Sequence, residues 1–406
     1  MRKRNCPQFS KKSEKKEPSP ILAERKQIMD FKPKKKLGFG LMRMPLSDPS
    51  DEAAVDVEQV CKMVDIFLER GFTYFDTAWM YHDFNSENVV KTALVDRYPR
   101  DSFTLATKLH GEYIKTKEDR DKIFSEQMKK TGAAFFDYYL IHGIDKELLE
   151  IYEELDCFGW LLEKKKAGLV KHVGFSFHDT PELLDEILTR YPEMEFVQLM
   201  INYLDWDSEW VQSRACYEVA VKHGKPVTVM EPVRGGTLAD LPQDVEKIFK
   251  EKNPSMSVPS WAIRFVASLD NVMLVLSGMS SIAQMEDNTS YMEDFKPLSE
   301  EEKKLCLKAG EMLIRKIAIP CTGCSYCTSG CPMKIAIPKY FRMYNENTFD
   351  DLEEKEWFVN YSDYPQLLEG GGGMVTDCVA CGQCESVCPQ HITIIENLKT
   401  IAGHIG

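Results

Sequence analysis

The 406-residue chain has no apolar run of the roughly 18 residues that a membrane-spanning helix needs, so a helical membrane protein is not expected. It has no excess of positive charge. Against 51 Lys and Arg stand 64 Asp and Glu, a net charge of −13, which makes nucleic acid and anionic membrane poor partners. No G-x-G-x-x-G turn follows the first candidate strand, which argues against a doubly wound dinucleotide fold. The opening stretch MRKRNCPQFSKKSEKKEPSP is basic and polar and lacks an apolar segment. The expectation there is a disordered tail over residues 1–30, or a start codon placed early with Met29 as the natural opening, and no secretory signal. Cysteine is sparse along most of the chain: of 13, only Cys6, Cys61, Cys157, Cys216 and Cys306 are scattered. That pattern excludes a disulfide scaffold and points to a reducing cytoplasm.

The other eight cysteines fall in two runs, CTGCSYCTSGCP from Cys321 and CVACGQCESVCP from Cys378. Thiolates two residues apart on a turn can face one metal centre, and a third at the same step completes a three-point cradle. Zinc ribbons also use C-x2-C pairs. A third cysteine at the next step, and a fourth three residues on before proline, favour two [4Fe-4S] clusters over zinc. In that bacterial ferredoxin pattern the fourth cysteine ligates the other cluster. One site is then Cys321, Cys324, Cys327 and Cys388, and the other is Cys378, Cys381, Cys384 and Cys331. The long segment between the runs carries aromatics suited to covering the clusters or the first domain, and Gly370–Gly373 reads as a flexible loop.

At this length two domains are expected. Ahead of the cysteine runs, the stretches KKLGFGLM, FTYFDTA, FTLATKL, DYYLIHG, KHVGFSF, FVQLMIN, PVTVMEP and VMLVLSG read as strands. Amphipathic helical stretches separate them. In the first, Val60, Met63, Val64, Phe67 and Leu68 share a face and Gly71 supplies the stop. In the second, Ser86 is a candidate N-cap. Eight strands alternating with helices over about 270 residues predict an α/β fold, a (β/α)8 TIM barrel. The expected division is a barrel over 31–298, a linker helix over 299–320 opened by the capping box of Ser299 and Glu302, and a ferredoxin-like iron–sulfur domain over 321–406.

In such a barrel, chemistry sits at the C-terminal ends of the strands. The second strand ends at Asp76, with Tyr81 five residues on. The third ends near Lys108 and the fourth near His142. Together they make a proton-donating site. An ammonium beside a tyrosine favours the phenolate and lowers its pKa, a carboxylate keeps the lysine charged and placed, and a histidine orients a carbonyl oxygen or relays a proton.

With these residues in hand, the stretches GFGLMRMP, FDTAWMY, TLATKL, YLIHG, VKHVGFSF and VLSGMSSIAQMEDN resemble the aldo-keto reductases over roughly Lys34–Asp294. With the cysteine runs added, the whole chain resembles their subfamily with a C-terminal two-cluster ferredoxin-like domain. The resemblance implies a catalytic tetrad of Asp76, Tyr81, Lys108 and His142. It also implies interconversion of a small-molecule carbonyl and alcohol by hydride transfer from a nicotinamide, usually NADPH. It carries Ser176 and Gln198 to the carboxamide of that cofactor and Asp287 and Asn288 to its adenine end. Gly40 and Met42 lie in the matched first-strand stretch. Gly235, Ser277 and Gly278 form a backbone-rich phosphate site after strands seven and eight, where Arg234 could add charge. Four family positions differ: Phe177 stands for an asparagine, Met230 for a stacking tyrosine, and Gly278 and Gln284 for the lysine and arginine that grip a 2′-phosphate. Clusters pass single electrons and a nicotinamide passes two, so a flavin on the barrel, a redox partner protein, or clusters outside turnover are the ways to reconcile them. The alternative to an enzyme of this kind is an electron-transfer protein whose barrel binds flavin or docks that partner.

Overall fold

The computed structural model describes residues 33–49, 51–208, 211–349 and 372–405. The expected tail over 1–30 lies outside the described residues, as do Gly370 and Gly371 and most of the aromatic segment before them.

Eight parallel strands close into one barrel in sequence order. They are β1 (Leu37–Gly40), β2 (Tyr74–Asp76), β3 (Thr104–His110), β4 (Phe136–Ile144), β5 (Val170–Phe177), β6 (Phe196–Met200), β7 (Val227–Met230) and β8 (Val272–Ser277). β1 closes the ring by pairing with β8, Phe39 opposite Ser277. Side chains alternate between two apolar layers, as a period of two requires. Tyr74, Ala106, Tyr138, Leu140, Phe196 and Leu274 form one cluster, the barrel interior. Phe75, Leu105, Tyr139, Ile141, Val197 and Val275 belong to the larger layer beneath the helices.

The helix Val57–Glu69 shows how the outer layer is built. The Asp56 side chain caps it by accepting from Gln59 N, its buried residues are Val60, Met63, Val64 and Phe67, and Gly71 ends it in the left-handed region at φ 77°. Leu68 is only partly buried. Phe67 lies 5.1 to 5.9 Å, ring to ring, from Phe72, Phe75 and Phe39. Truncating such a residue to alanine costs about 3–5 kcal/mol. Ser86 differs from expectation. It is the first helical residue after Asn85, and its buried hydroxyl bonds Thr77 Oγ1 at 2.8 Å and Leu41 O at 3.3 Å, tying the turn after β1 to the turn after β2 instead of capping.

The helix Glu300–Ile314 carries the expected capping box, Ser299 Oγ accepting from Glu302 N and Ser299 N donating to Glu302 Oε2. It lies so close to the barrel that a Cβ on Gly310 would stand 2.6 Å from Tyr203 O. Beyond it, a second core gathers Ile319, Ile335, Ile337, Phe341, Ile392, Ile394 and Leu398. Each cysteine run ends Cys-Pro-x-x-Ile-x-Ile and leads into a helix, Ile337–Phe349 after the first and Ile394–Ile405 after the second. Among the described residues no helix is long and apolar enough to cross a membrane.

Candidate active site

The strand period that fills the barrel interior also positions its chemistry. Two residues beyond Tyr74, Ala106 and Leu140 on the same inward rows stand Asp76, Lys108 and His142. Two beyond Phe196 stands Gln198. The interior row therefore changes from apolar packing to polar groups toward the C-terminal mouth. Tyr81 joins them from the loop after β2, which turns back through three successive left-handed residues, His82, Asp83 and Phe84. Such conformations are uphill for residues other than glycine. Two bonds of His82 hold them: its Nε2 accepts from Met44 N at 3.2 Å, and its Nδ1 donates to Glu52 O at 2.9 Å.

The four expected residues are buried and adjacent. Lys108 Nζ donates to Asp76 Oδ1 at 2.5 Å, to Thr77 O at 2.8 Å and to Tyr81 Oη at 3.3 Å. The His142 ring stands edge-on to Tyr81, centroids 5.9 Å apart, and its Nδ1 has no protein partner. Burial pushes the Tyr81 hydroxyl well above its usual range, and Asp76 adds to the rise. A neighbouring ammonium alone would lower it; here desolvation outweighs the ammonium, so Tyr81 stays protonated. Burial likewise holds His142 well below the usual histidine range, helped by His110 and Lys108, so it is a neutral imidazole.

A cavity of about 570 Å³ opens over these groups. Its lining includes Gly40, Met42, Gln198 and Met230 together with Gly235, Ser277, Gly278, Asp287 and Asn288. Gln198 Nε2 donates to Met230 Sδ at 3.4 Å, while its Oε1 is buried without a partner. Asn288 Nδ2 holds Ser277 Oγ at 2.8 Å, and Ser257 donates to Asp287 Oδ2 at 2.7 Å. Three expected barrel residues lie outside the cavity lining: Ser176, Arg234 and Lys108, the last fully buried behind Asp76 and Tyr81. Ser176 is buried and its Oγ accepts from Gly143 N at 2.6 Å. Arg234 pairs with buried Asp205 at 2.9 Å and donates to Pro320 O at 3.1 Å, so its charge is spent on the joint between the two units. Two other arginines, Arg43 and Arg342, are in the lining; Arg43 lies across Gly278 and donates to Gly323 O at 3.1 Å.

The second unit forms the far wall. Cys324, Tyr326, Pro389 and Gln390 line the same cavity as Asp76, Tyr81 and His142. A Cβ on Gly235 would fall 1.6 Å from Thr322 O, so only glycine permits the approach. Glu231, at the end of β7, is also in the lining, with a left-handed backbone at φ 54° and an unpartnered buried Oε2. Sequence reasoning missed Arg43, Glu231, Tyr326 and Gln390. The strand-end rule could have found Glu231; the other three carry no periodic signal.

The cysteines group as their spacing predicts. Cys321, Cys324, Cys327 and Cys388 line one small cavity, and Cys331, Cys378, Cys381 and Cys384 line another. Among the described residues no three His, Cys, Asp or Glu are gathered as a single ion requires. A cuboidal four-iron cluster spreads its thiolates wider than one ion does, so the two four-sulfur cavities fit clusters.

Comparison with known proteins matches two stretches of the chain. A model of the aldo/keto reductase family matches residues 36–311, and one of a 4Fe-4S dicluster domain matches residues 320–393. An uncharacterized oxidoreductase of Bacillus subtilis, YqkF, is 24% identical over 281 residues, covering 60% of this chain and 84% of that protein. Among solved structures, the holo form of the aldo-keto reductase AKR11C1 from Bacillus halodurans is similar at TM-score 0.53 and 24% identity, over 68% of this chain and 96% of that one. An aldo/keto reductase from Klebsiella pneumoniae in complex with NADP and acetate is similar at TM-score 0.53 and 20% identity, over 68% of this chain and 90% of that one. At these identities the structures establish the fold.

Proposed function

The chain belongs to the aldo/keto reductase family, and from that premise we propose that it is an iron–sulfur oxidoreductase interconverting a small-molecule carbonyl and its alcohol, with Tyr81 as general acid and base. The observation that carries this reading is the contact of Tyr81 Oη with Lys108 Nζ, itself paired to Asp76, at the floor of one large cavity. In reduction Tyr81, kept protonated by burial, gives its proton to the carbonyl oxygen. Lys108 faces the phenolate that remains. Neutral His142 can hydrogen-bond the same oxygen and fix which face of the carbonyl is presented.

A bound nicotinamide, NADPH or NADH, would supply the hydride. The unpartnered Gln198 Oε1 suits its carboxamide, the backbone of Gly235, Ser277 and Gly278 with Arg43 suits its phosphates, and Asp287 and Asn288 lie toward its adenine end. The two cysteine quartets would hold [4Fe-4S] clusters, which supply single-electron capacity and require a reducing compartment such as the cytoplasm. One observation favours a second reading, electron transfer through a flavin or a partner protein: Cys324 and Tyr81 border the same cavity.

Tyr81→Phe separates the readings. It should cut carbonyl reduction by at least about 100-fold, the usual worth of a positioned general acid, with iron and sulfide content unchanged. Reduction at the wild-type rate would remove Tyr81 from the mechanism.

A further inference from the structure

The loop that carries the first cysteine run also brings a phenol to the catalytic tyrosine. Tyr326 stands between Cys324 and Cys327, on a single helical turn, Tyr326–Ser329, entered through Ser325 in the left-handed region at φ 67°. That turn aims its side chain at the barrel. Tyr326 borders the cavity that holds Asp76, Tyr81 and His142, and its phenol lies near enough to Tyr81 for the two hydroxyls to influence each other's charge. The loop is pinned there by independent contacts: Arg43 to Gly323 O, Arg234 to Pro320 O, and Thr322 O against Gly235.

We propose that Tyr326 is a positioning residue for the reaction, completing the barrel's catalytic centre from the iron–sulfur unit by donating a hydrogen bond to the Tyr81 oxygen. The proposal rests on the reading of Tyr81 as general acid. In reduction, with the hydride that a bound nicotinamide would supply to the carbonyl carbon, the Tyr81 proton passes to the carbonyl oxygen and negative charge is left on Tyr81 Oη. Lys108 faces that charge from the barrel side and Tyr326 from the roof. A hydrogen bond to a developing anion strengthens as the charge grows, so it acts on the transition state more than on bound substrate. Cluster binding and catalysis are thereby coupled without any electron passing. The cysteines on either side of Tyr326 set its position, so Cys324→Ala lowers activity even where the cluster is idle in turnover.

The test uses the full chain purified anaerobically, with NADPH and a panel of aldehydes and ketones that includes 4-nitrobenzaldehyde, comparing wild type, Tyr326→Phe and Tyr81→Phe. For Tyr326→Phe the expected result is a kcat lower by about 10- to 100-fold, the worth of one charge-assisted hydrogen bond. The NADPH Kd from fluorescence titration and the iron and sulfide contents should match wild type. An unchanged kcat beside an inactive Tyr81→Phe overturns this inference alone. Loss of iron or a weakened NADPH Kd in Tyr326→Phe shows a structural role and overturns it too. A Tyr81→Phe variant that keeps its activity, or a wild type that turns over none of the panel, overturns the proposed function and this inference with it.

Discussion

Tyr81 illustrates how burial decides between competing effects on one side chain. The lysine beside it favours the phenolate, yet the desolvated site favours the neutral phenol, and the hydroxyl keeps its proton. Glu87 shows the same physics away from the chemistry. Its carboxyl accepts from Thr107 Oγ1 at 2.7 Å and Gln127 Nε2 at 2.9 Å, but Oε2 is buried without a partner and burial raises the group to about 7. An acid with a raised folded pKa favours the folded state fully at low pH. It loses that contribution as pH rises from 4.5, where the unfolded chain ionises, to about 7. The shift corresponds to about 3 kcal/mol across that window. Glu87→Gln cannot ionise, so its melting temperature should fall less than wild type's between those two pH values. Parallel melting curves for the two proteins would show that Glu87 is not the titrating group. Asp76, Lys108 and His142 were legible in sequence because each closes an apolar strand run. Arg43 and Arg234 were not distinguishable, since only the packed structure shows that buried Asp205 claims one guanidinium and leaves the other to the cavity.

At the scale of elements, alternation along the strands was the most legible feature of the chain, and it gave the barrel and its functional end together. The loops were less legible. The three left-handed residues after Tyr81 and the left-handed Glu231 are held by distant contacts that no local pattern announces. Gly235 is the clearest case. Its φ of 63° and its approach to Thr322 O both require glycine. Gly235→Ala should pry the β7 loop from the first cysteine run. Carbonyl reduction should drop severalfold and limited proteolysis before Cys321 should accelerate, with the iron content retained. Wild-type activity and protease resistance in this variant would mean that the seam is not tightly closed in solution.

Across the whole molecule, sequence spacing marked two units and even the crosswise grouping of the eight cysteines, because ligand spacing is local. It could not reveal that the second unit folds back as a wall of the first unit's cavity, since that contact joins residues far apart in the chain. The anaerobically purified protein is expected to carry about eight iron and eight acid-labile sulfide per chain; one zinc without sulfide would contradict the cluster assignment. Cys324 borders the same cavity as Tyr81, and the proposed function holds that substrate electrons nonetheless arrive as hydride with a proton from Tyr81. The most direct measurement is isotope transfer: the holoprotein is given NADPH deuterated at the transferred position of the nicotinamide, with a carbonyl substrate, and the product alcohol is weighed by mass spectrometry. One deuterium at the carbinol carbon in wild type, and product formation lost in Tyr81→Phe, is the predicted result. An unlabelled alcohol formed at the same rate, with hydrogen drawn from water, would contradict the account and place the clusters in the path of the electrons.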